Sequence, residues 1–159
     1  MFQLFLFLHV LSAIVAFGPS FTFPLIGSLG GREREHGNFA LRVTELIEKR
    51  LVITVGLTMP LTGAGLIYFG GFDLFQSAWL VIAIAVYAAA MTFAIFVQTP
   101  TVARLIELTS ARPLPAGPGA ALAGPPPEVL ALLQRTQLGG MFLTVALVVI
   151  IFLMVTRPV

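Results

Sequence analysis

The chain has 159 residues, 58% of them hydrophobic and 10% charged, with a mean hydropathy of +1.00. An ordinary soluble domain, in which about a quarter of residues are charged, is excluded by that composition. The lack of cysteine excludes disulfides, thiolate metal sites and thiol chemistry, and the net charge of +2 comes from basic residues interleaved with Glu33, Glu35, Glu45 and Glu48, a pattern of membrane flanks and not of a nucleic-acid surface.

Four stretches free of Lys, Arg, Asp and Glu follow in order: Phe2 to Pro24, Leu51 to Gly70, Gln76 to Gln98 and Leu138 to Thr156. Each is close to the about 20 residues with which a helix crosses about 30 Å of hydrocarbon. The first lacks a basic leader and a small-residue cleavage site, so it reads as a retained helix and not as a signal peptide. Pro19 and Pro24 remove amide donors in its later half and predict a kink there. Gly27, Gly30 and Gly31 are expected to end it.

A first polar connection covers residues 27–50. Within it, Asn38 to Arg50 places Phe39, Val43, Leu46 and Ile47 on one face and Arg42, Glu45, Glu48 and Lys49 on the other, the pattern of a short amphipathic helix lying along the membrane surface. Gly70-Gly71-Phe72-Asp73 reads as a tight hairpin between the second and third spans. A second polar connection covers 99–137. It opens with Thr99-Pro100 and a short helix carrying Val102, Leu105 and Ile106, passes through a Pro/Gly/Ala-rich linker at 113–127, and ends in an amphipathic lead-in, Glu128 to Gln137.

The expected fold is therefore all-α: one membrane domain over 1–159, a four-transmembrane-helix bundle with short amphipathic cytoplasmic helices. The two polar connections hold Arg32, Arg34, Arg42, Lys49, Arg50, Arg104, Arg112 and Arg135, against Arg157 alone on the other side. The positive-inside bias then puts both connections in the cytoplasm and both termini outside, as a multi-pass protein of a bacterial inner membrane. Gly56, Gly63 and Gly65 on the second span, with Ala85, Ala88, Ala89, Ala90 and Ala94 on the third, suit close helix packing, within the chain or between protomers.

His9 is the one side chain in the four spans whose charge can change near neutral pH. Burying it favours a neutral imidazole facing the bundle interior, hydrogen-bonded to Ser12, Thr144, Thr156 or a carbonyl of another helix. Neutral imidazole also ligates haem iron or copper. His36 lies in the first polar connection, so a haem would be held by His9 with Met154, or by His9 alone; Tyr68 shares their outer level, whereas Met59, Met91 and Met141 lie deeper. No enzyme constellation is present: no intramembrane carboxylate pair, no membrane Lys or Arg and no phosphate loop.

Leu8-His9-Val10-Leu11-Ser12-Ala13, Pro60-Leu61-Thr62-Gly63, Ser77-Ala78-Trp79-Leu80 and Phe152-Leu153-Met154-Val155-Thr156-Arg157-Pro158, in this order over nearly the whole chain, resemble the bacterial predicted integral membrane proteins of domain-of-unknown-function family 2269. That resemblance implies four helices and no established activity. The family is in turn distantly similar to copper-resistance protein D and to HemJ-type protoporphyrinogen oxidases, which share a first-helix histidine matched by His9 and, in the oxidases, bind haem b. The oxidases' third-helix lysine has no counterpart between Gln76 and Gln98.

Two functions fit this reading. One is a non-catalytic accessory or scaffold subunit of a larger membrane complex, respiratory or electron-transfer assemblies among them, with the bilayer and other membrane proteins or further copies of the chain as its partners. The other is a haem b or copper binding protein that uses His9 for electron transfer or metal handling.

Overall fold

A computed structural model describes residues 1–74, 76–111 and 125–158, Arg34 by its backbone alone. The chain is helical, with no strand among the described residues. Four long helices account for nearly all of it: α1 Phe2–Arg32, α2 Gly37–Gly70, α3 Ala78–Ala111 and α4 Pro127–Thr156. Each is long and apolar enough to cross a membrane. The expected four-helix membrane fold is the one observed.

The helices run on beyond the apolar stretches. At about 1.5 Å per residue a 34-residue helix is about 51 Å long, against about 30 Å of hydrocarbon and about 40–45 Å including headgroups. Residues 27–32, 37–50, 99–111 and 127–137, read from sequence as parts of the polar connections, continue the spans as helix. Gly27, Gly30 and Gly31 lie inside α1, which ends at Arg32. The overhang lies at the end rich in Arg and Glu, here the basic end; the chain termini and the Gly70–Phe72 hairpin form the terminal end. Most of the expected linker at 113–127 lies outside the described residues, and its last residue, Pro127, already opens α4.

Each departure from regular α-helix has a local cause or a local seal. Gly18–Thr22, holding Pro19, is a tighter 3-10 segment, at the place where the sequence predicts a kink. Pro60 lacks the amide that would reach the Gly56 carbonyl, and α2 is interrupted at Leu57 and Thr58 before restarting at Met59. Two wider π segments occur, Glu48–Ile53 in α2 and Ala94–Gln98 in α3. A threonine closes each: Thr54 Oγ1 donates to the Lys49 carbonyl at 2.8 Å and Thr99 Oγ1 is 2.9 Å from the Ala94 carbonyl, both five residues back. Gly71 ends α2 with φ +64°, the left-handed cap that needs no Cβ.

Packing pairs α1 with α2 and α3 with α4, and the two pairs meet chiefly at the basic end, where 37–47 of α2 lies against 99–111 of α3. Helix backbones approach closely on glycine. The Phe5 ring stands where a Cβ on Gly65 would be, and the crossing of α1 and α2 puts Gly30 against Ala40 and Gly37. Gly56 faces Met91 of α3. The glycines of α2 are thus used within the chain, whereas Ala85, Ala88 and Ala89 of α3 are exposed.

Candidate functional site

The polar side chains at membrane depth form two groups. In the first, His9 on α1 reaches across to α2, with its Nδ1 2.9 Å from Thr62 Oγ1. Thr62 Oγ1 is also 3.1 Å from the Met59 carbonyl. When the hydroxyl hydrogen goes to that carbonyl, His9 Nδ1–H donates to Thr62 and Nε2 keeps its lone pair. Gly63 makes room for the ring: a Cβ there would stand 3.5 Å from His9 Cε1. The partner is Thr62 of α2, not Ser12, Thr144 or Thr156, the hydroxyls expected from sequence.

Between that group and the terminal end lies a layer of rings. Phe5 and Phe69 stack at 5.2 Å, Phe72 meets Trp79 edge-on at 6.3 Å, and the Arg157 guanidinium sits 5.5 Å from the Phe72 ring and 5.8 Å from the Trp79 ring. This cation–π contact ties the end of α4 to the hairpin between α2 and α3. Met154 is one turn before Arg157 on α4 and half-buried. It belongs to the α3–α4 pair, whereas His9 belongs to the α1–α2 pair.

The second group lies about 30 Å from the terminal end, since Gln98 is 20 residues from Ala78 and Thr136 is 20 from Thr156. Here Glu48, 5% exposed, has a carboxyl oxygen 3.1 Å from Thr99 Oγ1, which links α2 to the residue that closes the π segment of α3; the one hydroxyl hydrogen goes either to Glu48 or to the Ala94 carbonyl. The buried Gln98 donates from Nε2 to the Thr136 carbonyl at 3.1 Å, and its amide oxygen packs where a Cβ on Gly139 would be. Thr136 Oγ1 is buried without a hydrogen-bond partner among the described residues. Between the two groups, Tyr87 of α3 donates to the Gly56 carbonyl at 2.7 Å, the carbonyl that Pro60 leaves without its helical partner.

Sequence periodicity put Glu48 on the outer face of its helix; the structure turns it inward and leaves Phe39 69% and Leu46 59% exposed. Next to a bilayer an apolar stripe has two equally good destinations, protein and lipid, so periodicity alone does not choose. Position did carry a usable signal: Glu48 immediately precedes the long apolar run, and Pro60 follows Gly56 by four.

A family model described as predicted integral membrane protein (DUF2269) matches residues 3–158. The chain belongs to that family. No curated protein and no solved structure matches it. The DUF2269 match carries no activity, and the wider likeness to copper-resistance protein D and HemJ-type oxidases lies outside it.

Among the described residues of this DUF2269 protein, no three His, Asp or Glu side chains gather to hold a metal ion. An apolar groove of about 240 Å³ between α3 and α4, lined by Val86, Ala89, Phe142, Val145, Ala146 and Val149, offers almost no polar group to orient a substrate. Among the polar side chains of the spans, His9, Tyr87 and Gln98 bond to neighbouring helices, whereas threonines such as Thr54, Thr58 and Thr144 bond back to their own helix.

Proposed function

We propose that this protein is a non-catalytic accessory or scaffold subunit of a larger membrane complex, placed in a bacterial cytoplasmic membrane with both termini outside. One observation supports this most: His9, Tyr87 and Gln98, the side chains best able to act on a substrate at membrane depth, are each bonded to a neighbouring helix. Groups used in this way hold a bundle together and are poorly placed to turn over. The exposed Ala85, Ala88 and Ala89 on α3 allow close approach by another helix, from a partner or from a second copy.

The second reading is a haem b or copper protein, and the Thr62 bond to His9 Nδ1 favours it specifically. A ligating histidine commonly has its other nitrogen held by a hydrogen bond that fixes tautomer and ring orientation. His9 would then be the principal ligand, with Met154 reaching over from the other helix pair or no second axial ligand at all.

Absorption spectra and thermal melts of purified wild type and His9→Ala separate the two readings. The scaffold reading expects a colourless protein in a particle larger than one chain, with His9→Ala lowering the melting temperature. A Soret band that disappears in His9→Ala would overturn it in favour of haem. For orientation, a cysteine at Asp73 should react with an impermeant maleimide in intact cells while one at Glu107 stays protected; the reverse pattern sinks the proposed topology.

A further inference from the structure

One face of α2 carries an arrangement that neither the scaffold reading nor the haem reading uses. Phe39, Arg42, Leu46, Lys49 and Arg50 are all exposed and recur at the spacing of a single helical stripe. Toward the terminal end the same stripe continues through Leu57 and Leu61 to Tyr68, which is 80% exposed. Tyr68 and Arg50 are 18 residues apart, about 27 Å of helix, nearly the thickness of the hydrocarbon layer. An aromatic ring at one boundary and cations at the other are the side chains that sit at membrane interfaces. Below Arg50 the stripe therefore passes into the headgroup layer.

Its charges there are unbalanced. Lys49 is paired with Glu45 at 2.6 Å, but Arg42 and Arg50 have no acidic partner among the described residues. Leu46 lies midway between them. On the other pair only Arg135 is without an acidic partner at this level among the described residues, because Arg104 of α3 is held by Glu107 at 2.8 Å and by Glu128 of α4 at 3.5 Å.

We propose that this stripe binds anionic phospholipid of the leaflet at the basic end. Arg50 and Arg42 take the phosphate from its two sides along the helix, and Leu46 between them packs against the glycerol. Two cations without counterions, separated by the exposed Leu46 and continuous with a lipid-facing surface, complement an anionic amphiphile. A soluble acidic partner would satisfy the arginines but leave Leu46 in water.

The test uses the full chain in nanodiscs of phosphatidylcholine with increasing phosphatidylglycerol, and compares thermal shifts. Wild type should be stabilised by phosphatidylglycerol. Arg42→Gln/Arg50→Gln should lose most of that shift, with apparent lipid affinity down roughly 30-fold for two cations. Arg104→Gln/Arg135→Gln removes the same charge from the other pair and should keep the shift, whatever it does to the starting melting temperature. Leu46→Ser keeps every charge and should weaken the response. Equal loss in the two arginine variants would overturn the proposal in favour of diffuse charge. So would an undiminished shift in Arg42→Gln/Arg50→Gln, or an equal effect of soluble glycerol phosphate, which would mark a headgroup-only site.

Discussion

The terminal half of the bundle and its basic end use the same four helices but are held together differently. At the basic end the arrangement between α3 and α4 is that of a water-soluble bundle. Val102 and Leu105 are the largest fully buried side chains, Val129 and Thr109 are buried beside them in the core, and Arg104, Glu107 and Glu128 form ion pairs on the outside. Asn38 of α2 adds a polar tie, with Nδ2 within 3.1 Å of the Ile106 carbonyl and 2.8 Å of Thr109 Oγ1. In the terminal half most large apolar side chains point outward, Met59, Leu80, Met91 and Leu147 being buried exceptions, and contact between helices rests largely on small residues, single hydrogen bonds and rings. The difference follows from the solvent: lipid gives no hydrophobic drive for apolar side chains to cluster, so close approach and polar bonds take over.

If the two regions obey different rules, the largest effect of a single change should come from the water-like core. Leu105 is 0% exposed, and Leu105→Ala should cost about 2–5 kcal/mol, as in soluble cores. Hydrogen exchange in nanodiscs should show the loss confined to 37–47, 99–111 and 127–135, with 140–152 still protected. Uniform deprotection along α3 and α4 would mean that the helices unfold as one unit and that the division into two regions is wrong.

Next in size is overpacking in the terminal half. Gly65→Leu must displace the Phe5 ring and should cost about 1–3 kcal/mol, read as a lower melting temperature in detergent. The pair Gly139→Ala and Gly140→Ala sharpens the point at the junction. Gly139 backs onto the Gln98 amide while Gly140 has nothing within 4 Å, so the first should destabilise and the second should not. Equal effects would show that α3 and α4 do not touch at this level.

The terminal half was largely legible in the sequence, because four uncharged runs leave helices as the only way to satisfy their backbones. The hairpin at Gly70-Gly71 was also legible, since glycine is the residue that adopts the left-handed cap. The basic end was not. Arg42, Glu45 and Glu48 look equally polar in a helical wheel, and nothing in a local pattern says that Glu48 turns inward to Thr99 while Phe39 turns out. The π segment beginning at Glu48 changes the residues per turn just where the face must be read. His9 was singled out as the lone group in the spans that can change charge near neutral pH, but its partner Thr62 was invisible until the register between α1 and α2 was known. That pairing needs tertiary information.

The smallest effect tests how a membrane helix tolerates its own proline. Pro60 cannot donate to the Gly56 carbonyl, and Tyr87 supplies the missing hydrogen from α3 at 2.7 Å. Tyr87→Phe should therefore cost about 0.5–1.5 kcal/mol, the ordinary net value of one hydrogen bond, with the lower part of that range expected within a membrane. Pro60→Ala restores an amide at position 60, which can bond the Gly56 carbonyl within α2. In that background the hydroxyl has nothing left to complete, and Tyr87→Phe should become nearly neutral. A double-mutant cycle on melting free energies in detergent measures the coupling directly. If Tyr87→Phe costs the same with and without Pro60, the tyrosine is held there by packing alone. The two helix pairs would then share no polar bond through this carbonyl, and the terminal half would depend on its small residues and rings even more than the geometry implies.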